Sequence, residues 1–338
     1  MTGTVLVARL DNAGDVLLAG PAIRAVAARA ERMVLLTGPH GRAAGELLPG
    51  VDRVIEWSAP WIDPEPGPVT RGHVAALVRE IEDEAPEAAL LLCSFHQSPL
   101  PLALLLRLAG VGWIGAISED YPGSLLDLRH RLDGDPPEAV RNLLLAEAAG
   151  FPLPSGDHGR LAVRRPLPEV DHLTGRGAYV VLHPGASVPA RQWPAERCAE
   201  AVRALARAGH RVLVTGSPEQ RRLTAQVACD AGRDLGGRTD LAELAAVLDG
   251  ADAVVAGNTG PAHLAAAVGT PVVSLFSPVV PAARWAPYGV PVVLLGDQRA
   301  ACRDSRAREC PIPGHPCLAG VGPAEVVAAV DTLLVAAA

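Results

Sequence analysis

The sequence contains no lysine: all 30 of its basic residues are arginine. That absence removes whole classes of chemistry. No Schiff base can form to pyridoxal phosphate or to a carbonyl substrate. A phosphate loop of the G-x-x-x-x-G-K-[ST] type is excluded because it needs its lysine. Any phosphate met by a side-chain cation must meet arginine or protonated histidine. Asparagine is nearly absent too, found only at Asn12, Asn142 and Asn258, so each of those positions stands out. No uninterrupted apolar run approaches the ~20 residues that span a bilayer. The richest stretches, residues 88–92 and 99–108, are short or broken by Arg107. The opening residues lack a basic segment followed by a long apolar one, so no signal peptide is read and a cytoplasmic location is expected. Without a secretion signal, the six cysteines are read as reduced thiols. A formal net charge of −7 argues against a general nucleic-acid binder, which needs clustered cations.

Apolar residues make up 49% of the 338 and charged ones 20%, the balance of a globular protein long enough for two domains. Short apolar strands alternate with helical patterns. Strands are expected over residues 4–10, 33–37, 53–57 and 88–93, and helices over 15–30, 71–84 and 99–109. Continuous apolar strands between helices imply a parallel sheet covered on both faces, the doubly wound α/β pattern. The pattern fades after about residue 120. Asp133-Gly134-Asp135, formally a D-x-D, is followed by Pro136-Pro137 and a helix over 138–149, so it reads as a turn. A Pro-, Gly- and charge-rich stretch over 156–177 reads as a linker between a domain at 1–155 and a second at 178–322. In the second, strands are expected at 178–183, 210–215, 251–256, 271–276 and 292–295. The last helix, within 323–338, could pack on either domain. Such a pair places its ligand in a cleft, beyond the carboxyl ends of the strands.

Four segments at those strand ends carry chemistry. The first strand runs into Arg9-Leu10-Asp11-Asn12-Ala13-Gly14-Asp15, which lacks a G-x-G-x-x-G fingerprint but places Asp15 at a helix start. There it serves either as a cap favoured by the helix dipole or as a proton acceptor for a bound hydroxyl. The segment His183–Pro194 combines a Gly-containing turn, the Ser187 hydroxyl and the forked cation of Arg191, which suits phosphate or simply solvent. In Thr215-Gly216-Ser217-Pro218-Glu219, the acid either bonds a ribose or starts a helix. Asn258-Thr259-Gly260-Pro261-Ala262-His263 leads a strand into a helix. Thr259 is expected to cap it, Pro261 suits its first turn, and its free N–H groups fit a diphosphate, with His263 one turn in. Ser94-Phe95-His96-Gln97-Ser98 is a further strand-to-helix turn whose polar groups could read an acceptor. Cys302, Cys310 and Cys317 with His315 allow a zinc site or a loop of reduced thiols. Their spacings, seven and six intervening residues, do not match compact zinc knuckles.

Taken together, Arg9-Leu-x-x-x-Gly14-Asp15-Val16, His183-Pro-Gly-Ala-Ser…Arg191-x-Trp193-Pro194 and Asn258-Thr-Gly-Pro-x-His263…Gly269-Thr-Pro271 resemble glycosyltransferase family 9, the heptosyltransferases. The resemblance implies a GT-B fold, with two Rossmann-like doubly wound domains facing across a cleft. The first binds the acceptor and the second the nucleotide sugar, for metal-independent, inverting transfer. Asp15 falls at the family's catalytic base. Arg191 stands where many members have a lysine on the donor phosphates, and Ser187 near the phosphate-binding hydroxyls. Glu219 falls on a nucleoside contact, Thr259, Gly260 and Pro261 on the diphosphate site, and His263 beside them. Asn258 replaces an aspartate common in the family and associated with the donor sugar. Arg9, Asp11, Asn12, His96 and Gln97 are placed on the acceptor side, where Asp11 would repel an anionic acceptor or bind sugar hydroxyls. No cofactor is implied, since the nucleoside-diphosphate sugar (ADP-heptose by family default) is a substrate. The acceptor would be a glycan, a lipid-linked glycan or a small molecule, the lipid case allowing peripheral membrane contact. A sugar-nucleotide epimerase or hydrolase, and a silent nucleotide- or glycan-binding module, are the competing readings.

Overall fold

The computed structural model describes residues 3–337. The chain divides into two compact units, one ending at Arg164 and the other beginning at Arg165.

Among the described residues the first unit holds six parallel strands: β1 (Thr4–Arg9), β2 (Arg32–Thr37), β3 (Arg53–Glu56), β4 (Ala88–Leu91), β5 (Trp113–Ile117) and β6 (Leu128–His130). Their order across the sheet is β3-β2-β1-β4-β5-β6. β1 lies inside, aligned on β2 from Thr4↔Arg32 to Arg9↔Thr37 and on β4 from Val5↔Ala88. Its residues Val5–Ala8 are buried on both faces, which is why the strand is a continuous apolar run. The second unit holds β7 (Val180–His183), β8 (Val212–Val214), β9 (Arg233–Asp234), β10 (Ala253–Gly257), β11 (Val272–Leu275) and β12 (Val292–Leu295), in the order β12-β11-β10-β7-β8-β9. Counted from its own first strand, the second sheet repeats the order of the first. In each, the direction of winding reverses beside the first strand, between β1 and β4 and between β7 and β10, where a crevice opens at the strand ends.

Two departures from the sequence pattern have local causes. The helix expected over 15–30 is two helices, Ala13–Leu18 and Gly20–Ala27. Pro21 begins the second, since its ring cannot sit inside a continuous helix. β5 and β6, absent from the sequence reading, complete the first sheet. Gly115 interrupts the apolar run of β5, and β6 is a three-residue edge strand carrying Arg129 and His130.

The stretch over 156–177 is shared by the two units. Asp157 takes both arms of Arg24, at 2.7 and 2.9 Å, and the Arg164 amide donates to the Leu47 carbonyl at 2.7 Å, which fastens 157–164 to the first unit. Arg165 forks onto Asp249 at 2.6 and 2.7 Å in the second. The C-terminal helix Pro323–Ala337 packs on the Ala195–Arg207 helix, and Val326, Ala329, Val330 and Leu333 enter the core of the second unit. No helix among the described residues is long and apolar enough to cross a membrane.

Candidate active site

At the winding reversal of the first sheet, β1 ends on Arg9, which is fully buried. Its guanidinium holds four side chains: Asp11 Oδ2 at 2.9 Å from Nε, Ser94 Oγ at 2.7 Å and Asp15 Oδ1 at 3.1 Å from Nη2, and Glu138 Oε2 at 3.3 Å from Nη1. Burial works against a charge there, but Asp11, Asp15 and Glu138 outweigh it and hold Arg9 above its ordinary range. The local chain explains the placement. The Asn12 carbonyl accepts the amides of Asp15 and Val16, at 3.0 and 3.1 Å, and so starts a helix with Asp15 in its first turn. Asp11 also accepts a hydrogen bond from Gln97 Nε2, and the Ser94 amide donates to Gln97 Oε1 at 3.1 Å. Burial pushes the Asp11 carboxyl up to about 6; Arg9 and Gln97 pull the other way, while Asp15 and Glu138 add to the rise. Of the three carboxylates, Asp15 is the most accessible, its side chain 21% exposed against 10% for Asp11 and none for Glu138.

Among the expected acceptor-side residues, the structure gathers Arg9, Asp11 and Gln97 into this cluster. Asn12 is exposed and lines a small neighbouring recess of about 40 Å³ with Asp11, Gly38, His40 and Asp63. His96 lies outside the cluster, exposed and edge-on to Phe95 with ring centroids 5.2 Å apart. Ser94 and Glu138 join the cluster although sequence reasoning missed them. Ser94 belongs to a segment whose polarity was visible. Glu138 reads locally as an ordinary acidic helix start, and its partner lies 129 residues away.

The second unit presents its own edge. β7 ends on buried His183, whose Nδ1 lies 3.0 Å from Thr215 Oγ1, and burial pushes the imidazole down to about 4, so it is neutral at pH 7. The following loop carries Ser187, exposed, and Arg191, partly buried in the turn Pro189–Arg191. Three bonds from the C-terminal tail fix this loop: the Ala190 amide donates to Arg308 O at 2.9 Å, His315 Nε2 lies 3.1 Å from Ala190 O, and Trp193 Nε1 donates to Leu318 O at 3.0 Å. A Cβ at Gly185 would fall 2.2 Å from Gln220 Nε2, so a larger residue there would displace that side chain. Gln220 and Ser217 cap each other reciprocally. Glu219 is exposed, and a hydrogen bond from Ser217 holds its carboxyl below the ordinary range.

β10 lies against β7, with Ala256 opposite His183, so the loop after β10 neighbours the loop after β7. Asn258 is buried and gives its amide to Ser277, Oδ1 accepting from the Ser277 amide at 3.3 Å. Thr259 precedes the helix Gly260–Val268 but does not cap it with its side chain; its hydroxyl turns back to Gly257 O at 3.4 Å. The expected cap is thus not formed, and the first amides of that helix have no side-chain acceptor from Thr259. Pro261 lies in its first turn, and His263 is buried behind it. The Ala262 amide donates to Thr259 O at 3.1 Å, and Pro261 has no N–H. A helix N-terminus near a loop bearing arginine and serine suits an anion through its dipole. Among the described residues no three His, Cys, Asp or Glu side chains are grouped to hold a metal ion. Cys302 and Cys317 are packed in the core.

The model of glycosyltransferase family 9 (heptosyltransferase) matches residues 74–315. Lipopolysaccharide heptosyltransferase 3 of Escherichia coli is 31% identical over 175 residues, 49% of this chain and 50% of that protein. The matches span between 33% and 50% of the length of the curated relatives. Among solved structures, a family 9 glycosyltransferase from Veillonella parvula superposes with a TM-score of 0.80 at 18% identity, covering 98% of this chain and 97% of that one. The E. coli heptosyltransferase WaaC with ADP-2-deoxy-2-fluoro heptose gives a TM-score of 0.72 at 22% identity, covering 99% and 100%. At such identities the likeness speaks for the fold, which is the two-unit α/β architecture of GT-B enzymes. With the family model covering most of its length, the chain belongs to glycosyltransferase family 9.

Proposed function

We propose that this protein moves a heptose-like sugar from a nucleoside diphosphate to a hydroxyl of a glycan, lipid-linked or small-molecule acceptor, with inversion and without a metal ion. The observation that carries the reading is the Asp15 carboxylate in the first turn of the helix after β1, partly open to solvent and held by Arg9 at 3.1 Å. Asp15 takes the proton of the acceptor hydroxyl as its oxygen attacks the anomeric carbon from the face opposite the diphosphate. The bond from that carbon to the diphosphate oxygen breaks, and its electron pair leaves with the nucleotide. Charge therefore grows on the diphosphate, where Arg191, Ser187 and the positive N-terminal end of the Gly260–Val268 helix stabilise it. Arginine in place of the family's lysine keeps the charge and adds a bidentate fork. ADP is the expected nucleotide, in line with the ADP sugar that accompanies WaaC in its solved structure.

The reading is tested by titrating ADP, UDP, GDP and CDP into the protein and into Arg191→Ala. ADP should bind best, and the variant should lose about tenfold or more in affinity, the loss expected for a charge-assisted phosphate contact. Absence of binding by every nucleotide, or unchanged ADP affinity in the variant, refutes the donor assignment. Incubation with ADP-heptose separates transfer from hydrolysis: a hydrolase releases ADP at full rate without an acceptor.

A further inference from the structure

Among the groups around Arg9 that the proposed reaction does not use is a fully buried acid. Glu138 opens the helix Glu138–Ala148, yet it is completely buried. An acid at a helix start gains from the dipole while exposed, so the dipole alone does not account for a buried one. Its helix packs against both Ala13–Leu18, which carries Asp15, and Gly20–Ala27, and Asn142 Nδ2 reaches Leu18 O at 3.5 Å. The groups facing this carboxylate are Arg9 at 3.3 Å and Arg141, whose Nε lies 3.9 Å away. Asp11 and Asp15 stand across the guanidinium. The Cys93 thiol beside them is pushed up to about 12 by burial and carries no charge.

Arg9 has a fork that could close on both oxygens of one carboxylate, the stronger arrangement for a guanidinium. It does not do so with Asp15: Nη2 meets Oδ1, while Nη1 is drawn to Glu138 and Nε to Asp11. We propose that Glu138 is a positioning residue for the catalytic base, spreading the Arg9 fork so that Asp15 is anchored through one oxygen and offers the other to the acceptor hydroxyl. The inference rests on the reading of Asp15 as base. Without the charge at 138, the guanidinium swings toward the aspartates, takes up both oxygens of the base and weakens it as a proton acceptor. The buried negative charge also raises the proton affinity of the carboxyls across from it, Asp11 among them.

The test is Glu138→Gln, which keeps the shape and removes the charge, compared with Glu138→Asp. Two readouts are followed: the pH profile of ADP-heptose hydrolysis by water, and the titration of Asp11 by carboxyl carbon NMR. Glu138→Gln should lower turnover roughly tenfold, part of the range for general-base catalysis, with ADP affinity within about twofold of native. Its acid limb should move to lower pH, and so should the Asp11 midpoint, about 6 in the native protein. Glu138→Asp should recover part of each effect. An acid limb and an Asp11 midpoint that both stay in place overturn the inference, whatever happens to thermal stability. Should Glu138→Gln not fold, Arg141→Gln removes the opposite charge and must move both readouts to higher pH; no movement is again a refutation. Failure of the base reading would be recognised separately, as Asp15→Asn retaining turnover while the Asp11 midpoint still responds to residue 138.

Discussion

Asn258 and Ser277 grip each other through one side-chain amide: Asn258 Oδ1 accepts from the Ser277 amide at 3.3 Å, and Nδ2 donates to the Ser277 carbonyl at 3.5 Å. The bond pair ties the loop after β10 to the loop after β11. An aspartate there could accept from the amide but would present a second oxygen to the carbonyl, with nothing to donate. Asn258→Asp should therefore cost about 1–3 kcal/mol, the penalty for a buried polar group left facing a like one. Urea unfolding measures it. A variant of native stability with tighter donor binding would instead give residue 258 to the donor.

Asp15→Asn should leave ADP binding unchanged and lower sugar transfer by at least roughly 10²-fold, the loss expected when a general base is removed. The amide retains a group for Arg9 Nη2 to meet at Oδ1, so the fold of the cluster should survive. Calorimetry with ADP and a transfer assay separate the two effects. Near-native transfer would remove Asp15 from the base role.

The buried Asp11 makes stability depend on pH in an unusual direction. Its carboxyl is raised from 3.8 to about 6, so between those values the folded chain binds the proton more readily than the unfolded one. The contribution is fully present below 3.8 and is lost as pH rises through 6. Asp11→Asn removes this term. The variant should gain stability relative to the native protein as pH goes from about 4 to about 7, a difference in which the carboxylates outside the Arg9 cluster cancel. Urea midpoints at several pH values test this; a constant gap would mean that Asp11 titrates alike in both states.

Much of this architecture was legible because burial on both faces writes itself into a strand as an unbroken apolar run, as in β1, β4 and β10. The candidate site was legible where chemistry is local: Asp15 six residues after Arg9, Thr259 and Pro261 at a helix start. β5 was hidden by Gly115 and β6 by its charged, edge-strand residues. The helix break at Pro21 was masked by apolar periodicity that continues on both sides. Glu138 was beyond reach for another reason: its meaning lies in burial against Arg9, and no neighbour in the sequence marks it. The Thr259 cap was misjudged because the hydroxyl had two acceptable partners, and it bonds Gly257 O instead.

Gly38 is a glycine for reasons of space, and it offers a way to disturb the proposed acceptor side without touching a charge. It follows β2, where Thr37 pairs with Arg9, and its φ of −73° is open to any residue. A Cβ added there would lie 2.4 Å from the Leu10 carbonyl oxygen, a backbone atom that cannot rotate away. Gly38→Ala must therefore push back the chain at Leu10 and Asp11, and with it the partner of Arg9 Nε. Overpacking of this kind costs about 1–3 kcal/mol. Transfer should fall more than the folded fraction does, because Asp11 and Asn12 share the recess that Gly38 lines. Gly72→Ala, in the helix Arg71–Glu84 with nothing within 4 Å of the added Cβ, is the control. It should stabilise by roughly 0.4–1 kcal/mol, since alanine restricts the unfolded chain. If Gly38→Ala matches that control in unfolding midpoint and in transfer, the close approach to Leu10 has no part in shaping the site.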